Sequence, residues 1–545
     1  MVGRLWRLSR LTGQPVFRLL ETLDSQTAKR FGFSNMTDGR AELESVGEAK
    51  RKLDVGSLIS LVFVPEYVGT DSASLLQSEL VSLADEQWLL FVTETDQLPK
   101  GFVVHLERQL AQWPETSVVT LDEWFVEGNS LKPLCKPEWD ETMLWAQPYL
   151  GRGVLFSKKV FMALGGFQPE TPSEHLDGVL DDWLLSWSAH SEAAKRTRRV
   201  TGWPLIRSSA PQMDVTEQRV SRVQAVLKAS EPGCVVSARS GLPNILYVQW
   251  PLPKPAPLVT LIVPTRNGLD VLKPCVEHII GLTDYPCLQL VVVDNDSDCP
   301  DTQSYLNALP KRDSRVRVIQ WSGAFNFAAI NNSAVQQAKG EWVCLLNNDI
   351  EPNHPQWLTE MMRLAVRPGV GCVGSKLLYP DGRIQHAGVV LGVGGVAGHS
   401  HRLAAGNASG YMNRLQVPQQ YSAVTAACLV VRKTLYEQVG GLDARAFPIN
   451  YNDIDLCLKI KDAGYTNLWT PDAVLTHHES LTRGRGARGL KRWKALAEAR
   501  RFKRKWRHYI ENDPAYHPDL TPFTEGFELN PTQFSTPEHV PLDPD

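Results

Sequence analysis

The feature of this sequence that most constrains its fold is an alternation of short apolar runs and helical segments in its second half. Residues 258–263, 289–293 and 342–346 are rich in Val, Leu and Ile, and such short runs indicate strands buried on both faces of a sheet. Helical patterns cover residues 328–337 and about 354–366. Strands that alternate with helices predict an α/β fold with a largely parallel sheet and helices on both of its faces.

Prolines mark a domain boundary just before the first of these runs. Residues 251–257 contain four prolines, which favour an extended linker over a helix. At 545 residues the chain is also long for a single domain. We therefore expect four parts, namely an N-terminal domain (1–240), a linker (241–257), a second domain (258–482) and a tail (483–545).

The N-terminal half repeats the pattern of the second half in a weaker form. In each copy, a proline ends the first predicted strand and an aspartate follows a later one. These two residues lie 85 positions apart in the second copy (Pro264 and Asp349) but only 31 apart in the first (Pro65 and Asp96). The first copy would therefore lack the strand that ends at Asp294. Four pairs of segments match in the same order and indicate an internal duplication: 60–65 with 258–264, 88–99 with 342–352, 154–167 with 429–442, and 181–185 with 452–456.

Composition excludes several classes of protein. The net charge of −3 argues against a surface built for nucleic acid. The nine cysteines form no CxxC pair and no zinc-ligand spacing, so a reducing compartment is expected. The N-terminus does not resemble a signal peptide, and no apolar run is long enough to span a bilayer. We expect a cytoplasmic protein, either soluble or peripheral on the cytoplasmic face of a membrane, that binds no nucleic acid.

Polar side chains follow two of the predicted strands, where parallel sheets bind their ligands. Asn347 and Asp349 occupy alternate positions and point the same way, so both offer oxygen atoms to a divalent cation such as Mg²⁺ or Mn²⁺. Asp294 and Asn295 follow the preceding strand, where a carboxylate can accept hydrogen bonds from a ribose or a base. Ordinary turns and helix caps are the alternatives at both places.

Acidic and histidine residues near the end of the second domain add further candidates. Asp453 and Asp455 open a helical pattern, and two acids within three positions exceed what capping needs. We expect Asp453 to be a general base and Asp455 to serve the helix start. His477, with His478 beside it, is either a third metal ligand or part of a surface turn.

Taken together, these segments resemble glycosyltransferase family 2, whose fold is called GT-A. The resemblance covers most of residues 258–480 and rests on 263–268 (VPTRNG), 291–295 (VVVDN), 345–349 (LLNND), 426–432 (AACLVVR), 440–443 (GGLD), 452–455 (NDID) and 477–478 (HH). A closer similarity is to a tandem O-antigen or rhamnosyltransferase-like subgroup. It rests on 325–332 (FNFAAINN), 379–388 (YPDGRIQHAG), 394–399 (GGVAGH), 477–480 (HHES) and, in the first half, 136–139 (KPEW) and 165–167 (GGF).

The resemblance implies an inverting glycosyltransferase, because it supplies one base, Asp453, and no second placed nucleophile. Asn347, Asp349 and His477 would hold Mg²⁺ or Mn²⁺. The family usually has Asp where this chain has Asn347, so a lower metal affinity is expected. It usually has Glu where this chain has Asn452, so Asp453 is the only carboxylate left at that position to act as the base. The nucleotide would be held by Thr265, Arg266, Asn267, Asp294, Asn295, Asn332 and Asn348.

The expected substrates are a nucleotide-diphosphate sugar donor and a glycan acceptor, lipid-linked and belonging to bacterial surface polysaccharide synthesis. The first copy is expected to be a degenerate GT-A-like domain that lacks much of the nucleotide-binding half. The alternative is a non-catalytic scaffold that binds glycan or nucleotide sugar within an assembly complex.

The tail carries a dense basic segment. Residues 483–507 contain twelve Lys or Arg and one acidic residue, Glu498. This pattern predicts a basic amphipathic helix that binds an anionic membrane surface. Packing of its aromatic residues on the second domain is one alternative, and a grip of Arg483 and Arg485 on the donor diphosphate is another. The apolar residues interleaved with the charges are Trp493, Leu496, Phe502, Trp506 and Tyr509.

Overall fold

The computed structural model describes most of the chain. The described residues are 43–45, 57–64, 77, 80–85, 87–127, 130–166, 175–208, 210, 216–242, 244–478 and 490–530. Among these residues, the helices are all too short or too polar to cross a membrane. Arg483 and Arg485 lie outside the described residues.

The described part of the N-terminal domain is one mixed sheet flanked by helices. Its strands are β1 Leu43–Ser45, β2 Ile59–Phe63, β3 Trp88–Val92, β4 Gln97–Pro99, β5 Val118–Glu127, β6 Ser130–Leu134, β7 Val154–Ser157 and β8 Thr197–Arg207, and a separate ribbon follows as β9 Val235–Ala238 and β10 Leu246–Gln249. Its helices are α1 Phe102–Gln112, α2 Glu141–Ala146, α3 Lys158–Ala163, α4 Leu176–Ser188, α5 Ala193–Arg196 and α6 Thr216–Ser230.

The second domain opens at the predicted first strand and continues through a larger sheet. Its strands are β11 Val259–Thr265, β12 Leu288–Asp294, β13 Val316–Gln320, β14 Trp342–Leu346, β15 Ile350–Pro352, β16 Val370–Leu378, β17 Ile384–His386, β18 Val389–Leu391, β19 Ala397–His399, β20 Gln419–Gln420, β21 Cys428–Arg432 and β22 Thr466–His477. Its helices are α7 Leu269–Leu282, α8 Pro300–Arg312, α9 Phe327–Gln337, α10 Trp357–Ala365, α11 Lys433–Gln438 and α12 Asn452–Asp462, and the tail adds α13 Leu490–Lys505 and α14 Arg507–Glu511.

The predicted α/β sheet is confirmed, with a mixed second half. The main path of the sheet runs β13-β12-β11-β14-β21-β16-β22-β15. Strands β11 to β14 pair in parallel, whereas β21 is antiparallel to both β14 and β16. Every residue of β14 is buried, which explains its continuous apolar sequence. The carboxyl ends of β11, β12 and β14 consequently meet at one edge, and the polar residues that follow them come together there.

The sheet of the N-terminal domain repeats six strands of the second sheet in the same order. The path β2-β3-β7-β5-β8-β4 corresponds to β11-β14-β21-β16-β22-β15. Each neighbouring pair also has the same relative direction in both sheets. Within the described sheet, nothing corresponds to β12 and β13, because β2 is the last strand on that side. This correspondence supports our inference of an internal duplication with a truncated first copy.

The two domains share one apolar core. A single cluster of buried side chains runs from the N-terminal domain, including Trp145 and Leu227, to Val259 and Met361 of the second domain. Polar contacts cross the same interface. Asp140 accepts a hydrogen bond from the backbone N–H of Gln420 (2.7 Å), Cys135 N–H donates to the Tyr411 hydroxyl (2.7 Å), and His517 of the tail contacts Asp122 (Nε2 to Oδ2, 2.8 Å). The domains are therefore packed together over a buried interface.

Candidate active site

Three predicted metal ligands converge at the end of the central strands. Strand β15 pairs with the end of β22, and Ile350 lies opposite His477, which brings the residues after β14 to the last histidine of β22. The Nε2 atom of His477 lies 3.1 Å from Oδ1 of Asp349 and 3.2 Å from the side-chain amide nitrogen of Asn347. A half-turn of that amide would present its oxygen to the same point. Asp349 and His477 are both buried.

The neighbouring histidine faces another group. His478 Nε2 lies 3.0 Å from Oε1 of Glu351, and both side chains are partly exposed. Successive side chains of a strand point to opposite faces, so only one of two adjacent histidines at the end of β22 can face Asp349. That histidine is His477.

Asp453 lies on the first turn of α12 and is held by the loop that leads into β21. Its Oδ2 atom accepts hydrogen bonds from the Thr425 hydroxyl and from the Ala426 backbone N–H, each at 3.1 Å. Its Oδ1 atom accepts from the N–H of Ile454 at 2.9 Å. The carboxylate is oriented by three donors yet remains partly exposed.

Asp455 lies in the first turn of α12, as the sequence predicts, but its side chain bonds to the tail and not to the helix N-terminus. Its side chain is fully buried and its Oδ1 atom accepts hydrogen bonds from Lys505 Nζ (2.6 Å) and Trp506 Nε1 (2.8 Å) of the tail. The second acid of this motif therefore anchors α13 to the second domain.

The residues predicted to hold a nucleotide lie around the ends of β11 and β12. Thr265 pairs in register with Asp294, and the Asn348 amide donates to the Thr265 hydroxyl at 3.1 Å. Asp294 is buried and its Oδ1 atom accepts from Ser297 N–H at 3.1 Å. Asn295 is also buried, and neither polar atom of its side chain has a hydrogen-bond partner among the described residues. These contacts join the nucleotide candidates to the metal candidates through Asn348.

Two residues of the loop after β11 take different positions. Arg266 is exposed. The side chain of Asn267 links the loop to the next one, because its oxygen accepts from the N–H groups of Asp298 and Cys299 (both 3.0 Å) and its nitrogen donates to Asp298 (2.8 Å). Asn267 therefore shapes the loop, and its amide is already used within the protein.

The side chain of Asn332, another nucleotide candidate, is bonded within the protein. It lies on α9, where its side-chain oxygen accepts hydrogen bonds from the Tyr436 hydroxyl (2.5 Å) and from Leu442 N–H (3.0 Å). Its amide nitrogen donates to the Leu442 carbonyl at 2.8 Å. These bonds hold the Gly440–Gly441 turn, so we assign Asn332 a structural role.

Sequence reasoning missed a group of side chains around the metal candidates. Gln385 Oε1 lies 2.5 Å from His477 Nδ1. His386, next along β17, is fully buried, with its Nδ1 atom 2.9 Å from Nδ1 of His399. Burial and the nearby His399 and His477 hold the pKa of His386 well below its ordinary value, so it is neutral. The stretch that carries these residues, 385–402, is rich in glycine, but no spacing rule identifies their contacts.

The corresponding edge of the N-terminal sheet is filled by ion pairs. Asp96, after β3, lies 3.2 Å from the guanidinium of Arg152, and both are buried. At the end of β8, Arg207 pairs with Glu123 (3.0 Å) and Asp177 (2.7 Å). The chain's own cations thus neutralise the carboxylates at the edge where the second domain gathers its metal candidates.

Asp177 is the better counterpart of Asp453 in the first copy. Each is the second residue of its helix, α4 or α12. The sequence match of 181–185 with 452–456 is therefore displaced along the helix. Asp181 instead forms a buried ion pair with Arg219 of α6 at 2.8 Å.

The tail helix packs on the second domain. Phe502 and Trp506 are buried in its core, and Glu498 accepts a hydrogen bond from Asn450 N–H at 2.6 Å. Insertion of Phe502 and Trp506 into a membrane is therefore excluded in this fold. Trp493 and Leu496 remain 67% and 42% exposed, respectively.

Comparison with known sequences identifies the family. A sequence model described as Glycosyl transferase family 2 matches residues 260–438. Uncharacterized protein y4gI of Sinorhizobium fredii (strain NBRC 101917 / NGR234) is 36% identical over 470 residues, which cover 84% of this chain and 51% of that protein. O-antigen biosynthesis protein RfbC of Myxococcus xanthus is 31% identical over 431 residues, which cover 76% of this chain and 32% of that protein. The chain thus spans about half or less of the length of these relatives.

Shorter and more distant similarities were also found. N-acetylglucosaminyl-diphospho-decaprenol L-rhamnosyltransferase of Mycobacterium tuberculosis (strain ATCC 25618 / H37Rv) is 26% identical over 153 residues, covering 27% of this chain and 49% of that protein. Among solved structures, the mannosyltransferase PcManGT from Pyrobaculum calidifontis in complex with GDP-Man and Mn²⁺ aligns over 45% of this chain and 69% of that one, with 18% identity. Its TM-score of 0.32 is too low to support a fold assignment. On the family match and the sheet described above, the second domain belongs to glycosyl transferase family 2 and has the GT-A fold.

Proposed function

We propose that this chain transfers a sugar from a nucleotide-diphosphate donor to a hydroxyl group of a glycan acceptor, with inversion at the sugar carbon. The observation that carries this proposal is the convergence of Asp349, His477 and Asn347 at the sheet edge that also bears Thr265 and Asp294. A metal-ligand set beside a nucleotide-binding strand end is the arrangement that diphosphate departure requires.

The candidate ligands fit a divalent cation. Asp349 offers a carboxylate oxygen, His477 an imidazole nitrogen and Asn347 an amide oxygen, a mixed set that suits Mn²⁺ and allows Mg²⁺. When bound, such a cation neutralises the charge that develops on the departing diphosphate. The family pattern has a second carboxylate where this chain has Asn347, so the protein supplies one negative charge fewer to the cation.

Asp453 is the proposed general base. Its three hydrogen bonds orient the carboxylate on the first turn of α12, and its partial exposure leaves it accessible to an acceptor hydroxyl. The proton of that hydroxyl would pass to Asp453 as its oxygen attacks the sugar carbon. A single base without a second nucleophile favours direct displacement, and hence inversion.

Asp294, with the adjoining Asn295, Thr265 and Asn348, is the proposed nucleotide site. The unpartnered buried amide of Asn295 offers one donor and one acceptor to a base or ribose. Arg266 is exposed at the same loop, where its guanidinium group can approach the diphosphate.

We propose a lipid-linked glycan as the acceptor and the cytoplasmic face of a membrane as the place of reaction. The name of the Myxococcus xanthus relative, O-antigen biosynthesis protein RfbC, supports a role in surface polysaccharide synthesis. The exposed basic residues of α13 support peripheral contact with an anionic bilayer, together with Trp493 and Leu496. The first copy would have a packing role without catalysis, since its corresponding edge is closed by ion pairs.

A panel of nucleotide sugars with Mn²⁺ tests the proposed activity. UDP-, dTDP- and GDP-linked sugars would be incubated with the full chain, and release of the nucleoside diphosphate would be measured with and without EDTA. We expect metal-dependent release with at least one donor and none from the Asp349→Ala variant. Saturable donor binding with no release, in the presence of candidate glycan acceptors, would instead indicate a binding scaffold.

A further inference from the structure

Gln385 contacts the proposed metal ligand His477 at two points. Its Oε1 atom lies 2.5 Å from Nδ1 of the imidazole, and its Nε2 atom lies 3.4 Å from the backbone carbonyl oxygen of the same residue. Gln385 is buried in β17 between these contacts, and the sequence separates the two residues by 92 positions. Both contacts are to the same histidine, and it is the tertiary fold that brings the two residues together.

These two contacts select one orientation of the amide. A carbonyl oxygen can accept a hydrogen bond but cannot donate one, so the Gln385 atom facing the His477 carbonyl must be the NH₂ group. The Gln385 oxygen then faces Nδ1, and Nδ1 must carry a proton in order to donate to it. The Nε2 atom of a neutral His477 is consequently the one with the free electron pair.

The opposite edge of the imidazole shows where that electron pair would be used. Nε2 of His477 lies 3.1 Å from Oδ1 of Asp349, so an unprotonated Nε2 sets two electron pairs against each other. A cation shared between the two atoms turns that repulsion into coordination. Metal-binding histidines commonly donate their second ring N–H to an acceptor that fixes both tautomer and ring orientation.

We propose that Gln385 is a positioning residue for the metal site, which it serves by holding His477 in the tautomer that presents Nε2 beside Asp349. This inference rests on the proposed function, because it assumes that His477 is a metal ligand. Gln385 does not touch the cation or the substrates. Its effect is to raise metal affinity through the orientation and the proton of another side chain.

Mn²⁺ binding to the full chain, measured from the loss of the free-ion EPR signal, tests the proposal without any substrate. Gln385→Leu removes the acceptor, and Gln385→Asn keeps a polar amide but withdraws it by one methylene. We expect each variant to bind Mn²⁺ about 10-fold or more weakly than the wild type. Gln385→Glu retains an oxygen at the same reach and should bind within about threefold of the wild type.

A matched control separates positioning from a general loss of internal side-chain hydrogen bonds. Gln224 of α6 also bonds two backbone groups, the carbonyl of Cys234 and the N–H of Val236, but lies in the N-terminal domain. Gln224→Leu should leave Mn²⁺ affinity unchanged. Thermal unfolding of every variant shows which of them remain folded, and Gln385→Asn serves if Gln385→Leu does not.

Two results would overturn the role of Gln385. One is wild-type Mn²⁺ affinity in folded Gln385→Leu and Gln385→Asn proteins. The other is a Gln385→Glu protein that binds as weakly as Gln385→Leu, since a carboxylate oxygen would then have failed to replace the amide oxygen. Absence of Mn²⁺ binding by the wild type would overturn the proposed metal site itself, so the two failures are distinguishable.

Discussion

Asp453 and Asp455 lie two residues apart on α12 and have opposite surroundings. Asp453 faces the loop before β21 and is partly exposed, whereas Asp455 is buried against Lys505 and Trp506. The sequence shows two similar acids at a helix start, and the structure places their side chains in different surroundings. Residue identity alone therefore leaves open which acid can meet an acceptor.

Replacement of Asp453 by Asn should lower turnover by about 100-fold or more while donor binding persists, because the amide keeps size and polarity but cannot take a proton. Steady-state release of the nucleoside diphosphate measures turnover, and calorimetric titration with the donor measures binding. Near-normal turnover in this variant would remove Asp453 from the role of base.

Asp455→Asn is the matched control for that experiment. We expect it to lower the midpoint of thermal unfolding, since the buried Lys505 and Trp506 contacts lose a charged acceptor. The folded fraction should retain turnover far above that of Asp453→Asn.

The adjacent histidines allow a second matched comparison. His477→Ala should weaken the Mn²⁺ dependence of turnover, and Asp349→Ala should abolish metal-dependent donor binding, because both remove proposed ligands. His478→Ala should leave that dependence unchanged, since its imidazole faces Glu351. Equal effects of the two histidine substitutions on Mn²⁺ titrations of activity would contradict the assignment.

Residues at strand ends could be predicted from the sequence, whereas contacts between residues far apart in the sequence could not. Asp349 and Asp294 follow buried strands, and the rule that ligands bind at carboxyl ends places them together. Gln385 and Thr425 act through partners 92 and 28 positions away in the sequence, which no local pattern reveals. The hydrogen bonds of Asn332 were likewise not predictable, because a motif records a residue type and not whether its amide is already bonded.

At the scale of elements, α13 combines two surfaces. One side, with Phe502 and with Trp506 directly after the helix, is buried on the second domain, and basic residues 500, 501, 503 and 504 are among those that remain exposed. The sequence shows the basic and aromatic residues of this helix but leaves open which of them pack against the second domain. The bonds of Asp455 to Lys505 and Trp506 fix which side of the helix faces the domain, and such tertiary contacts are not visible in the sequence.

Membrane docking by this helix can be measured by liposome flotation. Each basic residue near an anionic surface contributes about 1 kcal/mol, so Arg500, Arg501, Lys503 and Arg504 together should support reversible docking. We expect flotation with anionic vesicles that is lost when Arg500, Arg501, Lys503 and Arg504 become Gln. Lys505 is left unchanged because it bonds to Asp455.

Four basic residues outside the tail provide the control for flotation. Lys311, Arg312, Arg317 and Lys339 are exposed on the second domain, and their replacement by Gln removes the same charge. Flotation should survive that change. Equal recovery with neutral and anionic vesicles, or no flotation of the wild type, would argue against docking.

At the scale of the whole molecule, the two sheets repeat the same strand order, as the internal duplication inferred from the sequence would require. Buried strands such as Trp88–Val92 and Trp342–Leu346 were visible as apolar runs in both halves. The sequence did not reveal that β7 and β21 run antiparallel to their neighbours, because the direction of a strand depends on its connections and not on its composition. The ion pairs that close the first copy's edge also join residues far apart in the chain, so their partners required the structure.

The first copy offers a test of its non-catalytic role. Asp96→Asn and Asp177→Asn should leave turnover within about twofold, because neither lies near the proposed metal. Asp96→Asn should also lower the free energy of unfolding by about 3 kcal/mol, since Arg152 keeps its charge and loses its buried carboxylate. Chemical denaturation measures stability. A large loss of turnover in a folded Asp177→Asn protein would indicate a second active site.

The core shared between the two domains has a consequence for protein engineering. Donor specificity is often sought by exchanging whole catalytic domains between relatives, with a linker as the crossover point. Here a crossover within residues 251–257 would leave Trp145 and Leu227 facing a foreign surface, and Asp122 without the histidine of the tail. Chimeras should therefore exchange the loops after β11, β12 and β14 and keep the rest of both halves from a single parent.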